Sequence, residues 1–164
     1  MREDQSTIYL VQRLITSTHK NVPGGSVARV RVGVEGLTFD ASHYNVGVSS
    51  ECMNLHGHTY RVDVEVEGEI DPESGMVIDF DILKKVVKEV ISEYDHKIVM
   101  PAKDLSKARI EGPFNTSIKA IDYPQATTEY IALDIARKIR DKLGLSVKVK
   151  LYEGSRNYVV VELP

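Results

Sequence analysis

The chain has 164 residues, enough for one domain with a substantial core. Hydrophobic residues make up 42% and charged residues 27%, which is the balance of a soluble globular protein. The net charge of -3 gives no reason to expect nucleic acid or a membrane surface as a partner. The single cysteine, Cys52, excludes an internal disulfide framework, and the charged N-terminus is unlike a signal peptide, so we expect a cytoplasmic protein.

Residues 1–27 show little periodic patterning, and we interpret them as an N-terminal arm before a single domain, residues 28–164. The first strand of the domain carries two inward-facing rows of opposite parity: Val30, Val32 and Val34, then Leu37, Phe39, Ala41 and His43. A period of two cannot change phase without an extra residue, so a β-bulge is predicted near Glu35-Gly36. His43 therefore ends an inward-facing row.

Two strands, two helices and two more strands are predicted in chain order. The second strand places these residues on one face: His56, His58, Tyr60, Val62, Val64 and Val66. Asp79 is a predicted N-cap, and a second helix is predicted to start near Thr127 and to stop at Gly144. Glu153 ends the apolar row of the fifth element. The order ββααββ predicts an α+β fold, an antiparallel sheet with both helices on one face.

Three histidines form a candidate metal site. His56 and His58 are two apart on a predicted strand, so both imidazoles project from one face. His43, at the end of the preceding inward row, is the natural third ligand, because a catalytic zinc takes three protein ligands and leaves one position open. On the His-x-His pair alone, ordinary surface or core histidines are an equally good interpretation.

Three further positions carry chemistry. Cys52 lies four residues before His56 in polar surroundings, where a nearby cation would favour its thiolate, although most single cysteines are inert. Asp95-His96 ends the first predicted helix, and a histidine stabilising the helix C-terminus is the simpler interpretation. Glu153 is either an acid with a shifted pKa, a ligand anchor or a solvated strand-end carboxylate.

Four blocks of the chain together resemble the 6-pyruvoyl- and 6-carboxy-tetrahydropterin synthases. Their order, and most of their spacing, is that of this family. The blocks are residues 39–43 (FDASH), 52–58 (CMNLHGH), 75–80 (GMVIDF) and 95–96 (DH). The resemblance implies a tunnel fold (T-fold) that oligomerises, commonly as a hexamer of two trimers, with active sites between subunits. It also implies 7,8-dihydroneopterin triphosphate as the substrate.

The resemblance assigns a role to each candidate residue. It implies that His43, His56 and His58 bind Zn²⁺ and that Cys52 is the base that abstracts a proton. Asp95 and His96 are then its relay partners, and Glu153 binds the pterin ring. Further pterin contacts are implied for three consecutive residues: Thr127, Thr128 and Glu129.

The chain departs from the family pattern in two places. The family's Pro-Thr-x-Glu-Asn block lacks its proline and asparagine here, where Ala126 and Tyr130 stand instead. The stretch from Lys97 to Tyr123 is longer than in compact members, and we interpret it as a solvated loop. Its basic residues leave open a contact with the triphosphate.

The resemblance favours one product over another. Leu55 stands where members that cleave dihydroneopterin tend to have glutamate, and the gap from Cys52 to His56 is that of the 6-carboxy type. It therefore implies a lyase that forms 6-carboxy-5,6,7,8-tetrahydropterin for 7-deazaguanine (queuosine-type) biosynthesis. The alternatives are 6-pyruvoyl-tetrahydropterin synthesis and, in another class, a non-catalytic pterin or purine binder.

Overall fold

The computed structural model describes residues 28–47 and 49–164. The predicted N-terminal arm, residues 1–27, therefore lies outside the described residues. The strands are β1 Val30–His43, β2 His56–Gly68, β3 Lys97–Pro101, β4 Ile118–Ile121, β5 Ser146–Glu153 and β6 Asn157–Leu163. The helices are α1 Ser50–Met53, α2 Phe80–Ser92 and α3 Thr128–Leu143, and a 3₁₀ turn spans Ala102–Asp104.

The strands form one six-stranded sheet in the order β4-β3-β1-β2-β5-β6. β1, β2, β5 and β6 are antiparallel neighbours, whereas β3 runs parallel to β1 and β4 parallel to β3. The β1–β2 register shifts between Val34 and Leu37, which confirms the predicted bulge. Gly36 takes the left-handed conformation there, with a φ of 74°, and its N–H donates to Asp63 Oδ1 at 2.8 Å.

One face of the sheet is buried under α2 and α3. The inward residues of β2 and β5 are buried: Tyr60, Val62, Val64, Val66, Val147, Val149 and Leu151. Both helices turn apolar stripes toward them, and each fully buried Val, Leu or Ile contributes about 1.5–3 kcal/mol. Charged side chains occupy the other face. Because side chains alternate between the two faces along each strand, the residues at the strand ends that lie in phase with the buried ones share the inner face with His43.

Both long helices begin where their sequences predict, and α3 also ends there, whereas α2 ends at Ser92, before the predicted end at Asp95-His96. The Asp79 side chain accepts hydrogen bonds from the backbone N–H groups of Asp81 and Ile82, which makes it the N-cap of α2. Thr127 is the N-cap residue of α3, and Gly144 ends that helix in the left-handed conformation with a φ of 66°. None of the helices in the described part of the chain is long and apolar enough to cross a bilayer.

The segment from Lys97 to Tyr123 is not simply a solvated loop, so that interpretation was wrong. It contributes β3 and β4 to the sheet, and Val99, Met100 and Ile121 are buried. Two strands therefore lie between the two long helices, in addition to the predicted ββααββ elements. The α+β class and the covering of one sheet face by the helices are as predicted.

Candidate active site

His43, His56 and His58 meet at one end of the inner face of the sheet. β1 and β2 pair His43 with His56 and Ala41 with His58, so the register alone brings the three imidazoles together. One potential ligand atom of each side chain lies within 4.8 Å of the others, and the ring centroids are 4.6–5.3 Å apart. The bulge at Gly36 matters here because it sets the parity that turns His43 inward.

Backbone carbonyls orient two of the three rings. Nδ1 of His43 lies 2.7 Å from the carbonyl oxygen of Ala126, and Nδ1 of His56 lies 2.8 Å from that of Asn54. A carbonyl only accepts, so each Nδ1 carries the proton and each Nε2 keeps its lone pair. Burial lowers the pKa of His43 below its usual value, which keeps that ring neutral as metal binding requires.

The residues fit a metal ion. The Nε2 atoms of His43 and His58 are buried and have no hydrogen-bond partner among the described residues. Buried polar atoms without a partner are costly, and a cation bound by these nitrogens would remove that cost. Three imidazoles, two of them oriented by backbone carbonyls at Nδ1, are a typical donor set for a catalytic Zn²⁺, and they would hold it.

Glu153 joins the histidines from the end of β5. Its carboxylate oxygens lie 3.8 Å from His43 Nε2 and 3.6 Å from His58 Nε2. The hydroxyl of the buried Thr128, in the first turn of α3, donates a hydrogen bond to Glu153 Oε2. Glu153 is therefore not a freely solvated strand-end carboxylate, although it lies at the end of the strand.

Thr127 and Glu129, the other two residues of the predicted pterin-contact block, are not hydrogen-bonded to Glu153. Thr127 precedes α3 and makes no side-chain capping hydrogen bond, and Glu129 is exposed in the first helical turn. Of the block, only Thr128 has a side chain hydrogen-bonded within the histidine and glutamate cluster.

Cys52 lies in α1, on the loop that joins His43 to His56. Its side chain is half-buried, and its carbonyl oxygen accepts the backbone N–H of Asn45 at 2.7 Å. Ser49 caps the short helix and accepts the N–H of Cys52 at 3.4 Å. The Cys52 thiol is not part of the group in which the ligand atoms of His43, His56 and His58 lie within 4.8 Å of one another, but its backbone is tied to Asn45, two residues after His43.

Asp95 and His96 form a separate cluster with Asp40. His96 Nδ1 lies 2.9 Å from Asp95 Oδ1, which also accepts the backbone N–H of Asp40 at 3.0 Å. Potential ligand atoms of the three residues lie within 4.8 Å of one another. His96 has a φ of 56°, uncommon for a residue other than glycine, and such strain tends to occur at functional sites.

Three residues that the sequence did not single out support the site. Tyr44 donates to Asp104 Oδ2 at 2.8 Å, and the side chain of Gln125 bonds to the backbone of Val46. Burial, followed by the hydrogen bond and charge of Asp104, raises the pKa of Tyr44 to about 12, so its hydroxyl stays protonated. These contacts join residues 60 or more positions apart, and no local pattern signals them.

The fold resembles solved structures of one class. A Plasmodium vivax structure described as 6-pyruvoyl tetrahydropterin synthase matches with a TM-score of 0.69 and 22% identity, over 83% of this chain and 98% of that one. The fold and the three-histidine cluster together define a tunnel-fold protein with a candidate metal site.

The sequence comparisons identify the family. The family model for 6-pyruvoyl tetrahydropterin synthase matches residues 33–164, so the chain belongs to that family and is an enzyme of the lyase class. A 6-carboxy-5,6,7,8-tetrahydropterin synthase from Rickettsia felis is 33% identical over 134 residues, which cover 76% of this chain and 95% of the relative. A dihydroneopterin monophosphate aldolase from Pyrococcus furiosus is 39% identical over 128 residues, covering 76% and 91%. The predicted family and enzyme class are confirmed.

Proposed function

We propose that this enzyme is a zinc-dependent lyase that converts 7,8-dihydroneopterin triphosphate to 6-carboxy-5,6,7,8-tetrahydropterin. One water is consumed, acetaldehyde and triphosphate are the other products, and the reaction belongs to 7-deazaguanine (queuosine-type) biosynthesis in the cytoplasm. The observation that carries the proposal is that three histidines and the carboxylate of Glu153 lie together on the inner face, at one end of the sheet. The relative from Rickettsia felis supports the choice of product.

His43, His56 and His58 are the proposed zinc ligands. Their strand positions and the carbonyl partners of His43 and His56 preorganise the rings before any ion binds. Bound zinc supplies Lewis-acid stabilisation of the negative charge that develops on the substrate's side-chain oxygens.

Cys52 is the proposed base. Removal of a proton from a carbon that bears a hydroxyl needs a base held close to that carbon, and a thiolate is suited to it near neutral pH. Cys52 lies on the loop between two proposed zinc ligands, which supports a role for its thiol at the substrate side chain rather than at the pterin ring. Cys52 then needs a partner that accepts and returns the proton.

Asp95 and His96 are the proposed relay for that proton. The Asp95 carboxylate holds Nδ1 of His96 at 2.9 Å, which leaves Nε2 of the exposed imidazole available for proton transfer. The pair belongs to the Asp40 cluster and not to the histidine cluster of its own chain. We therefore propose that it serves the site of a neighbouring subunit in a homo-oligomer, a trimer or a hexamer.

Glu153 is the proposed anchor of the pterin ring. A carboxylate can accept two parallel hydrogen bonds from the ring's amino group and ring N–H, which fixes the orientation of the substrate. Thr128 holds this carboxylate from the protein side through its hydroxyl. Thr127 and Glu129, at the start of α3, are proposed to complete the pterin contacts.

Two other outcomes have specific support. The family description favours 6-pyruvoyl-tetrahydropterin synthesis, which begins with the same proton abstraction but leaves the carbon side chain whole. The relative from Pyrococcus furiosus favours an aldol cleavage of dihydroneopterin monophosphate. The three reactions differ in what leaves the pterin, so the products distinguish them.

Mass spectrometry of the products made by the zinc-loaded enzyme tests the proposal. The enzyme is incubated separately with 7,8-dihydroneopterin triphosphate and with the monophosphate, and volatile aldehydes are trapped. Acetaldehyde released in step with a carboxy-pterin from the triphosphate is the expected result. A pyruvoyl side chain without acetaldehyde would contradict it, and so would a hydroxymethyl-pterin with a phosphorylated two-carbon aldehyde.

A further inference from the structure

The described residues of the loop that carries Cys52 include no buried apolar side chain. Residues 44–47 and 49–55 connect His43 to His56, and α1 within them is four residues long with no buried residue. Val46, Met53 and Leu55 are at least half exposed. A segment without buried apolar side chains takes its position from hydrogen bonds to its neighbours.

Gln125 supplies one pair of such hydrogen bonds. The N–H of Val46 donates to Gln125 Oε1 at 3.2 Å, and Gln125 Nε2 donates to the carbonyl oxygen of Val46 at 3.1 Å. The side-chain amide thus satisfies both backbone groups of one residue, as a neighbouring strand would. Among neutral side chains, only Asn and Gln offer an amide donor and acceptor together.

Asp104 supplies a second attachment. Its carboxylate accepts the hydroxyl of Tyr44 at 2.8 Å in partly buried surroundings. Tyr44 and Val46 flank Asn45, whose N–H donates to the carbonyl oxygen of Cys52 at 2.7 Å. The two attachments therefore hold Tyr44 and Val46, the neighbours of Asn45, and Asn45 is hydrogen-bonded to the backbone of Cys52.

Gln125 and Asp104 belong to the segment from Lys97 to Ala126, and this segment also contacts a proposed zinc ligand. The carbonyl oxygen of Ala126, the residue after Gln125, accepts the Nδ1 proton of His43 at 2.7 Å. One stretch of chain thus contacts both the ring of His43 and the loop of Cys52. Its β3 and β4 strands, Lys97–Pro101 and Ile118–Ile121, anchor it to the edge of the sheet.

We infer that the segment from Lys97 to Ala126 positions the Cys52 loop relative to His43, with Gln125 and Asp104 as positioning residues. The effect on turnover rests on the proposed function, whereas the effect on the reactivity of Cys52 does not. Loss of either attachment lets the loop move, and a misplacement of about 1 Å costs on the order of 10²-fold in rate.

Alkylation of Cys52 in the zinc-loaded protein measures the position of the loop directly. The chain has one cysteine, so the rate of reaction with iodoacetamide reports on Cys52 alone. Gln125→Met keeps the length of the side chain but removes both hydrogen bonds. We expect it to raise the alkylation rate severalfold and to lower kcat by roughly 10-fold or more, with KM little changed.

Asp104 provides a conservative pair. Asp104→Asn keeps an acceptor for the Tyr44 hydroxyl and should leave the alkylation rate near that of the wild type. Asp104→Ala removes the acceptor and should raise the rate. If Gln125→Met fails to fold, this pair carries the test by the same measurement.

Asp71→Ala is the matched control. Asp71 accepts two backbone N–H groups, from Glu73 and Ser74, in the turn after β2. The change also removes two hydrogen bonds, but at the end of β2 remote from His56. Its alkylation rate should equal that of the wild type.

Two results would overturn the inference. One is an unchanged alkylation rate in both Gln125→Met and Asp104→Ala; the other is an equal increase in Asp71→Ala, which would indicate general loosening. If the enzyme proves inactive on all the pterins above while the alkylation rates change as expected, the proposed function fails and the positioning role stands.

Discussion

Two clusters of metal-ligand residue types lie at the same end of β1, on opposite faces of the sheet. His43, on the inner face, belongs to the three-histidine cluster, and Asp40, on the outer face, belongs to the cluster with Asp95 and His96. In the first cluster two buried nitrogens have no hydrogen-bond partner among the described residues. In the second, the groups satisfy one another and the backbone: Asp95 pairs with His96, and Asp40 accepts the Thr59 hydroxyl at 2.5 Å.

The difference separates two kinds of chemistry. A cluster whose nitrogens converge without partners gains most from a cation, whereas one already closed by hydrogen bonds gains little. The exposed Asp95–His96 pair is instead arranged as an oriented imidazole, which is suited to proton transfer. Each prediction below would break or sharpen this division between a metal-binding face and a proton-transfer face.

Cys52→Ala should have the largest effect. It removes the proposed base without touching a proposed zinc ligand, so turnover should fall by roughly 10²–10⁴-fold while zinc is retained. Steady-state kinetics and elemental analysis of the same preparation measure both. Loss of zinc along with activity would show that Cys52 is a zinc ligand and would assign it to the metal-binding cluster.

Glu153→Gln should weaken pterin binding by about tenfold or more, because an amide turns one acceptor into a donor facing the ring's N–H edge. Calorimetric titration in the Cys52→Ala background avoids turnover during the measurement. Thr128→Val, which removes the hydroxyl partner of Glu153 but keeps the carboxylate, is the control and should bind more tightly than Glu153→Gln. If Glu153→Gln loses zinc and keeps its pterin affinity, Glu153 belongs to the metal site.

Gly36→Ala tests the bulge that gives His43 its inward parity. A Cβ at this position meets no atom within 4 Å, so the cost is the left-handed backbone alone, about 1–2 kcal/mol. Chemical denaturation should show that loss with zinc content unchanged. A loss of zinc at an unchanged free energy of unfolding would mean that the register had slipped.

Asp95→Ala should have the smallest effect on stability, roughly 1 kcal/mol or less at pH 7, because the carboxylate is substantially exposed. The backbone N–H of Asp40 is the largest cause that lowers the pKa of Asp95 below its ordinary value, and His96 adds to it. A lowered pKa means that the contribution is complete above the unfolded pKa and is lost as the pH falls through the folded one. The stability difference between wild type and Asp95→Ala should therefore shrink from pH 7 to pH 3, and a constant difference would contradict the charge-based explanation.

The strand-built part of the site could be predicted from the sequence. His56 and His58 alternate in phase with Tyr60, and Glu153 alternates in phase with Leu151. Because every second residue of a strand points to the same face, these residues share the buried face of the sheet. The change of parity before Leu37 required a bulge for the same reason. These features depend only on residues within one strand or two paired strands, so they can be predicted from the local sequence pattern.

The parts built by distant contacts could not be predicted. β4 has only four residues and pairs in parallel with β3, so neither length nor alternation marks it as a strand. The Gln125–Val46 and Asp104–Tyr44 hydrogen bonds join residues 79 and 60 positions apart through single side chains. The separation of Asp95 and His96 from the histidine cluster likewise depends on how the end of α2 meets β1.

Zinc stoichiometry in matched histidine variants tests the central claim most directly. Elemental analysis is applied to the wild type, to His43→Ala, His56→Ala and His58→Ala on the inner face, and to His96→Ala in the other cluster. We expect one zinc per chain in the wild type and in His96→Ala, and none in the three inner-face variants. Undiminished zinc in His56→Ala, or its loss in His96→Ala, would contradict the assignment of the metal to the inner face.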